Sequence, residues 1–165
     1  MKIKFFAVNN LVLYLSVGFL FLSLFVYYIY PERKLEKNQK VDEIVINKES
    51  HELLIYSKRR LLATYHISLS KNGLSKKTEE GDHLTPEGVF KGKKISGTKF
   101  HKAIAIGKWG SCCGVLIHGL TKDYRAIGKF HRWRDWTEGC IALTNDEMDE
   151  LFDAVSDGIR IEINP

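Results

Sequence analysis

At 165 residues the chain holds one domain plus an appendage, and the part after residue 30 is long enough to bury a sizeable core. Lysine and arginine number 25 against 20 acidic residues, a net charge of +5 that falls to +3 once Lys2 and Lys4 are set aside. The basic residues are scattered rather than striped and accompany no nucleic-acid motif, which excludes a nucleic-acid binder and leaves a mildly cationic surface suited to an anionic polymer.

Taken in order, the chain begins with Lys2 and Lys4 and then a run from Phe5 to Tyr30 without a charged residue. Leu11 to Tyr30 alone is long enough to span a bilayer. The run ends in tyrosines and Pro31 rather than in small residues at a cleavage site, so an uncleaved membrane anchor is expected, with the tyrosines in the interfacial belt. Residues 1–30 are therefore assigned to the anchor and 31–41 to a short charged linker, and a domain runs over 42–165. The flanking charges lean slightly towards a cytoplasmic domain by count, with Arg33, Lys34, Lys37 and Lys40 after the run against Lys2 and Lys4 before it.

From Asp42 the hydrophobic period is two. Ile44 and Ile46, Leu53 to Tyr56, and Leu61 to Leu69 read as three strands, with turns near Lys48 and near Lys58. Residues 71–83 are polar and carry Gly73 and Gly81, the composition of a surface loop that contains His83. Thr85-Pro86-Glu87-Gly88 is a turn feeding a strand at Val89 and Phe90. Ala103 to Ile106 is a further short strand, followed by a loop with Trp109, Cys112 and Cys113.

Val115-Leu116-Ile117-His118-Gly119 is an apolar β-type run that ends in a histidine, and a strand end is a rigid mount for a base. Twenty-two positions later Thr137-Glu138-Gly139-Cys140-Ile141-Ala142-Leu143 places a cysteine between a glycine turn and an apolar run. A thiolate nucleophile needs a base and donors for the oxyanion it creates, which His118 and the backbone at Gly139 can supply. Residues 121–136 join base to nucleophile, and their Tyr, Phe, Trp, Arg and Lys side chains form the expected substrate lid. Trp133 and Trp136 are open to either lid or core roles. Thr144-Asn145-Asp146-Glu147 is a capping box, and Met148, Leu151, Phe152 and Val155 follow at helical spacing. Gly158 then releases the chain into a closing strand at Ile159 to Ile163.

Cys112 and Cys113 read as small buried residues, since a bridge between adjacent cysteines is strained and their spacing to His118 and Cys140 fits no usual zinc pattern. No metal and no cofactor is expected.

The His-Gly at 118 and 119, the spacer, and Thr-x-Gly-Cys-Ile ending at Ile141 resemble the L,D-transpeptidase (YkuD-type) catalytic domain, in a sub-branch with a Thr-x-Gly-Cys motif. Gly81 with Thr85, Pro86 and Gly88 resembles a second segment of that family in the right order. Glu138 stands where many members carry a second histidine, and Ala142 where Arg or Asn is usual. The resemblance implies a mostly β, α+β catalytic domain of sandwich type, with Cys140 as nucleophile and His118 as base. It further implies Gly139 as the turn residue and Thr137 as the residue whose carbonyl orients the base. The implied substrates are peptidoglycan stem peptides, and the implied location is the outer side of the cytoplasmic membrane. Thr85, Arg132, Arg134, Trp136 and Glu138 are the candidate substrate contacts; for Arg125, Arg132 and Arg134 the pairing with stem carboxylates stands beside a plain surface role. Cross-linking, hydrolysis of the same amide, and a binding module with a dead site are the three activities this leaves.

Overall fold

The computed structural model describes residues 2–30, 34–36, 38–96, 99–100, 102–107 and 114–165, without the side chains of 2–9; Trp109, Cys112 and Cys113 lie outside them. It divides into two units, Met1–Glu32 and Arg33–Pro165.

The first unit is one helix, α1 (Lys2–Ile29), of 28 residues. Its stretch Asn10–Ile29 has a mean hydropathy of 2.1 and is long and apolar enough to cross a membrane. The hydroxyls of Ser16 and Ser23 donate to the carbonyls of Leu13 and Leu20, so neither leaves an unmade hydrogen bond on an apolar surface.

The second unit is a mixed α+β fold. Strands β1 (Glu43–Asn47), β2 (Glu52–Ser57) and β3 (Arg60–His66) form the antiparallel meander that the period-two pattern predicts. Then follow β4 (Gly88–Ser96), β5 (Lys102–Ile106), β6 (Leu116–His118), β7 (Ile141–Ala142), helix α2 (Asn145–Ala154) and β8 (Ile159–Asn164). The eight strands make one sheet in the order β3-β2-β1-β8-β4-β5-β6-β7. The sheet curls on itself: Ser68 and Ser70, just past β3, bridge to Ala142 and Thr137 at the far edge. This closing run was expected as the continuation of the third strand to Leu69, but β3 ends at His66. Ser68 through Ser70 are buried on both faces because they join the two ends of the sheet.

The core is built largely from Ile44, Ile46, Leu53, Ile55, Ile104, Ile117, Ile141 and Ile161, all fully buried, with Met148 and Leu151 of α2 against them. The capping box forms as expected, the Thr144 hydroxyl accepting from Glu147 N–H and the Glu147 carboxylate from Thr144 N–H. Within the expected linker, Leu35 and Val41 are tied to the domain. Leu35 is buried and its N–H donates to the carboxylate of Glu150, and Val41 N–H donates to Ala154 O.

Candidate active site

The cysteine turn is held from below by backbone and hydroxyl groups. Gly139 sits at φ +98°, a conformation L side chains rarely adopt, and a Cβ there would come within 2.8 Å of the Leu84 carbonyl oxygen. The 84–85 segment therefore packs flush under the turn. Thr85, 1% exposed, donates its hydroxyl to the Gly139 carbonyl at 3.1 Å. Thr137 ties the other side, its hydroxyl donating to the Cys140 carbonyl at 2.7 Å and its N–H to Leu69 O at 3.0 Å. Cys140 is a partly exposed free thiol.

His118 ends β6, where it pairs in parallel register with Ala142 of β7. Extending that ladder by two residues sets Cys140 beside Leu116, so the two side chains project from the same face as diagonal neighbours. The imidazole is 1% exposed, stacked on Phe100 with centroids 3.8 Å apart and met edge-on by Trp136 at 6.0 Å. Its Nδ1–H donates to the carbonyl of Gly119 at 2.7 Å, which leaves Nε2 as the lone-pair nitrogen. Gly119 allows this approach of β6 to the start of α2, because a Cβ there would lie 2.5 Å from Asn145 Oδ1.

Electrostatics follow from burial. Burial pulls the His118 imidazole down to about 4, against the Gly119 hydrogen bond that favours the charged form and with the Lys99 ammonium adding to the depression. The Cys140 thiol is pushed up by burial, and Glu138 adds slightly to this, while the Leu116 N–H and Lys99 oppose it. Both groups rest uncharged.

The structure brings Cys140, His118, Gly139, Thr137, Thr85 and Trp136 together, and places Thr137, Thr85 and Arg132 differently from their expected roles. The Thr137 carbonyl accepts from Lys71 N–H, so the orienting carbonyl is that of Gly119. Thr85 is buried, and its hydroxyl is engaged by the Gly139–Cys140 turn. Arg132 is also withdrawn from substrate. Its guanidinium donates to Glu147 at 2.6 Å, with the two side chains 7% and 8% exposed. Glu138 does lie at the surface, but it pairs with Lys71 at 2.9 Å, which draws its carboxyl below the usual range.

Arg134 is exposed. It lines a cavity of about 430 Å³ together with Tyr124, Ile127, Phe130, His131, Trp133 and Trp136. The walls come from two short 3₁₀ turns, Lys122–Trp133, broken at Gly128. Sequence reasoning missed Phe100, Lys99 and the Gly119 carbonyl. Phe100 follows from the β5–β6 register, in which Ala103 faces His118, with Phe100 itself stacked on the imidazole.

Three comparisons place this arrangement. The family model of the YkuD L,D-transpeptidase catalytic domain matches residues 42–163. A Bacillus subtilis (strain 168) protein, YqjB, whose name provisionally assigns it to the L,D-transpeptidases, is 27% identical over 139 residues, covering 73% of this chain and 69% of its own. Among solved structures, the L,D-transpeptidase of Xylanimonas cellulosilytica DSM 15894 superposes with a TM-score of 0.55 at 17% identity, over 78% of this chain and 63% of that one. The helical cell shape determining protein Pgp2 of Campylobacter jejuni gives 0.59 at 25% identity, over 81% of this chain and 51% of that one. The chain thus spans between half and two thirds of the length of these two structures.

Proposed function

Because the chain belongs to the L,D-transpeptidase catalytic domain family, we propose that it is a cysteine acyltransferase acting on peptidoglycan stem peptides. The observation that carries this reading is a thiol and an imidazole on one face of the β6–β7 ladder, with the imidazole tautomer set by Gly119. The Cys140 sulfur attacks the carbonyl at the L-centre of a stem diamino acid while Nε2 of His118 takes the thiol proton. The N–H groups of the Gly139–Cys140 turn hold the oxyanion. Collapse breaks the C–N bond, and the imidazolium returns its proton to the leaving amine. An incoming amine then attacks the thioester, a C–N bond forms, the C–S bond breaks, and the sulfur regains a proton. Arg134, exposed and without an ion pair among the described residues, lies with Trp136 in the cavity wall and pairs with a stem carboxylate.

Hydrolysis, with water as the acyl acceptor, is the second reading. Its support is the Lys71–Glu138 pair, since a neutralised Glu138 exerts little pull on a cationic acceptor amine. In either case α1 anchors the chain in the cytoplasmic membrane with the domain outside, where the substrate lies; this overrules the flanking charges. Protease added from outside should digest the domain in intact cells, and protection would place it in the cytoplasm. Incubating the full chain in detergent with purified muropeptides and weighing the products tests the chemistry. Cross-linked dimers identify the transferase and trimmed stems the hydrolase, and turnover persisting in Cys140→Ala would refute both.

A further inference from the structure

Apart from Arg134, the side chains that line the aromatic cavity in the segment between His118 and Cys140 have no part in the acyl transfer just described. Trp133 is 68% exposed, Tyr124 58% and Ile127 40%, an apolar surface left open to solvent in the segment that leads to Cys140. Trp133 does not swing freely, because Phe130 meets it edge-on with centroids 5.0 Å apart at 81°, which holds the indole as a standing wall. Trp136 lines the cavity and also touches His118, so cavity and catalytic imidazole share one side chain. At about 430 Å³ the space lies in the ordinary range for a small-molecule site. Its charged side is the Arg134 guanidinium, since Arg132 is already bound to Glu147.

The chemistry of the occupant follows from these walls. A murein stem offers methyl groups, carboxylates and an amine; the ammonium can sit over one aromatic face, but none of these groups presents a flat surface broad enough to cover two rings. A pyranose ring presents a flat face of C–H groups that stacks on indole and phenyl faces, with hydroxyls and amide groups left at the edge for water and for polar side chains. The first carboxylates of the attached peptide would then fall near Arg134, which gives the charge complementarity a neutral sugar alone would not need.

We propose that the cavity lined by Phe130, Trp133 and Trp136 is a glycan subsite that stacks an N-acetylhexosamine ring of the murein strand while the peptide hanging from that sugar reaches Cys140. The proposal rests on the acyltransferase reading for its substrate and makes the enzyme selective for stems still attached to glycan over free peptides.

The test compares a disaccharide-linked stem peptide with the identical peptide lacking sugar, using the full chain in detergent and mass analysis of products. The sugar-linked substrate is expected to have a kcat/KM about tenfold higher, mostly through a lower KM, the size of one good aromatic stack. Trp133→Ala should bring the ratio of the two close to one, and Trp133→Phe should restore part of it. Equal values in the wild-type chain, or a fall of both values together in Trp133→Ala, would overturn the proposal. A second measurement is independent of turnover: binding of the peptide-free N-acetylglucosamine–N-acetylmuramic acid disaccharide, followed by saturation-transfer NMR on Cys140→Ala. Binding that Trp133→Ala abolishes supports the subsite even if no peptide is turned over and the acyltransferase reading fails. Absence of binding at millimolar disaccharide refutes the subsite whatever the activity.

Discussion

Replacing Gly139 by alanine tests whether the Gly139–Cys140 turn is built as described. The backbone at φ +98° is nearly closed to L side chains, a strain of about 1–3 kcal/mol. The new Cβ would also sit 2.8 Å from Leu84 O and 3.2 Å from Leu84 C, backbone atoms that can yield only by moving the 84–85 segment. That movement weakens the buried bond from Thr85 to the Gly139 carbonyl, adding about 1 kcal/mol. The expected loss is about 2–4 kcal/mol, which for a domain of this size lowers Tm by roughly 10 °C. Differential scanning fluorimetry reads the stability, and the rate of Cys140 alkylation reads the placement of the thiol, which should change together with Tm. Thr85→Val removes only the hydrogen bond and should lower Tm by about a third as much. A Gly139→Ala chain that melts within about 2 °C of wild type with an unchanged alkylation rate would refute the packing of Leu84 against the turn.

Three further outcomes follow from the electrostatics. Lys99→Gln removes a cation that favours the thiolate, so the pH midpoint of Cys140 alkylation should move up; an unmoved midpoint would remove Lys99 from the site. Because the folded His118 is held near pH 4 and an unfolded histidine titrates near 6.5, the unfolded chain takes up a proton first on acidification. Stability is therefore complete above about pH 6.5 and falls by up to about 3 kcal/mol as pH drops to 4, a loss that urea midpoints should show in wild type and not in His118→Gln. Arg132→Ala leaves Glu147 buried without its main cation and should cost about 3–5 kcal/mol, while the double variant with Glu147→Gln recovers part of it; equal Tm values for the two would mean the pair is not buried as seen.

The parts of this molecule that were legible in its sequence are those whose physics is local. Period-two runs such as Glu43–Asn47 and Glu52–Ser57 announce half-buried strands, and Thr144 with Glu147 announces a capped helix. His118-Gly119 and Gly139-Cys140 stand out because each couples a reactive side chain to a backbone break. The misread parts depend on who meets whom across long separations. Arg132 looks like a surface cation until its partner, one face of a capping glutamate fifteen residues on, is seen to be buried with it. Thr85 looks like a groove residue until the curl of the sheet carries Gly139 over it, 54 positions away. Strand β7 has only two residues, too few for any period to show.

The resting charge state of the site is the least legible feature and the most consequential. A cysteine beside a histidine can rest as an ion pair, yet burial acts on both groups in the direction that removes charge: it raises the thiol and lowers the imidazole. An imidazole stacked on Phe100 and bonded to the Gly119 carbonyl is well placed and well oriented while remaining a neutral base. On the proposed acyltransferase reading the proton moves during attack rather than before it, and a small electrophile meets a thiol that reacts only through its minor thiolate fraction. The Leu116 N–H and Lys99 are the groups that favour the thiolate, and of the two only Lys99 is a side chain on an exposed turn. On the proposed acyltransferase reading, a substrate covering Lys99 would shield it from water and strengthen its pull on the sulfur, coupling occupancy of the site to formation of the thiolate.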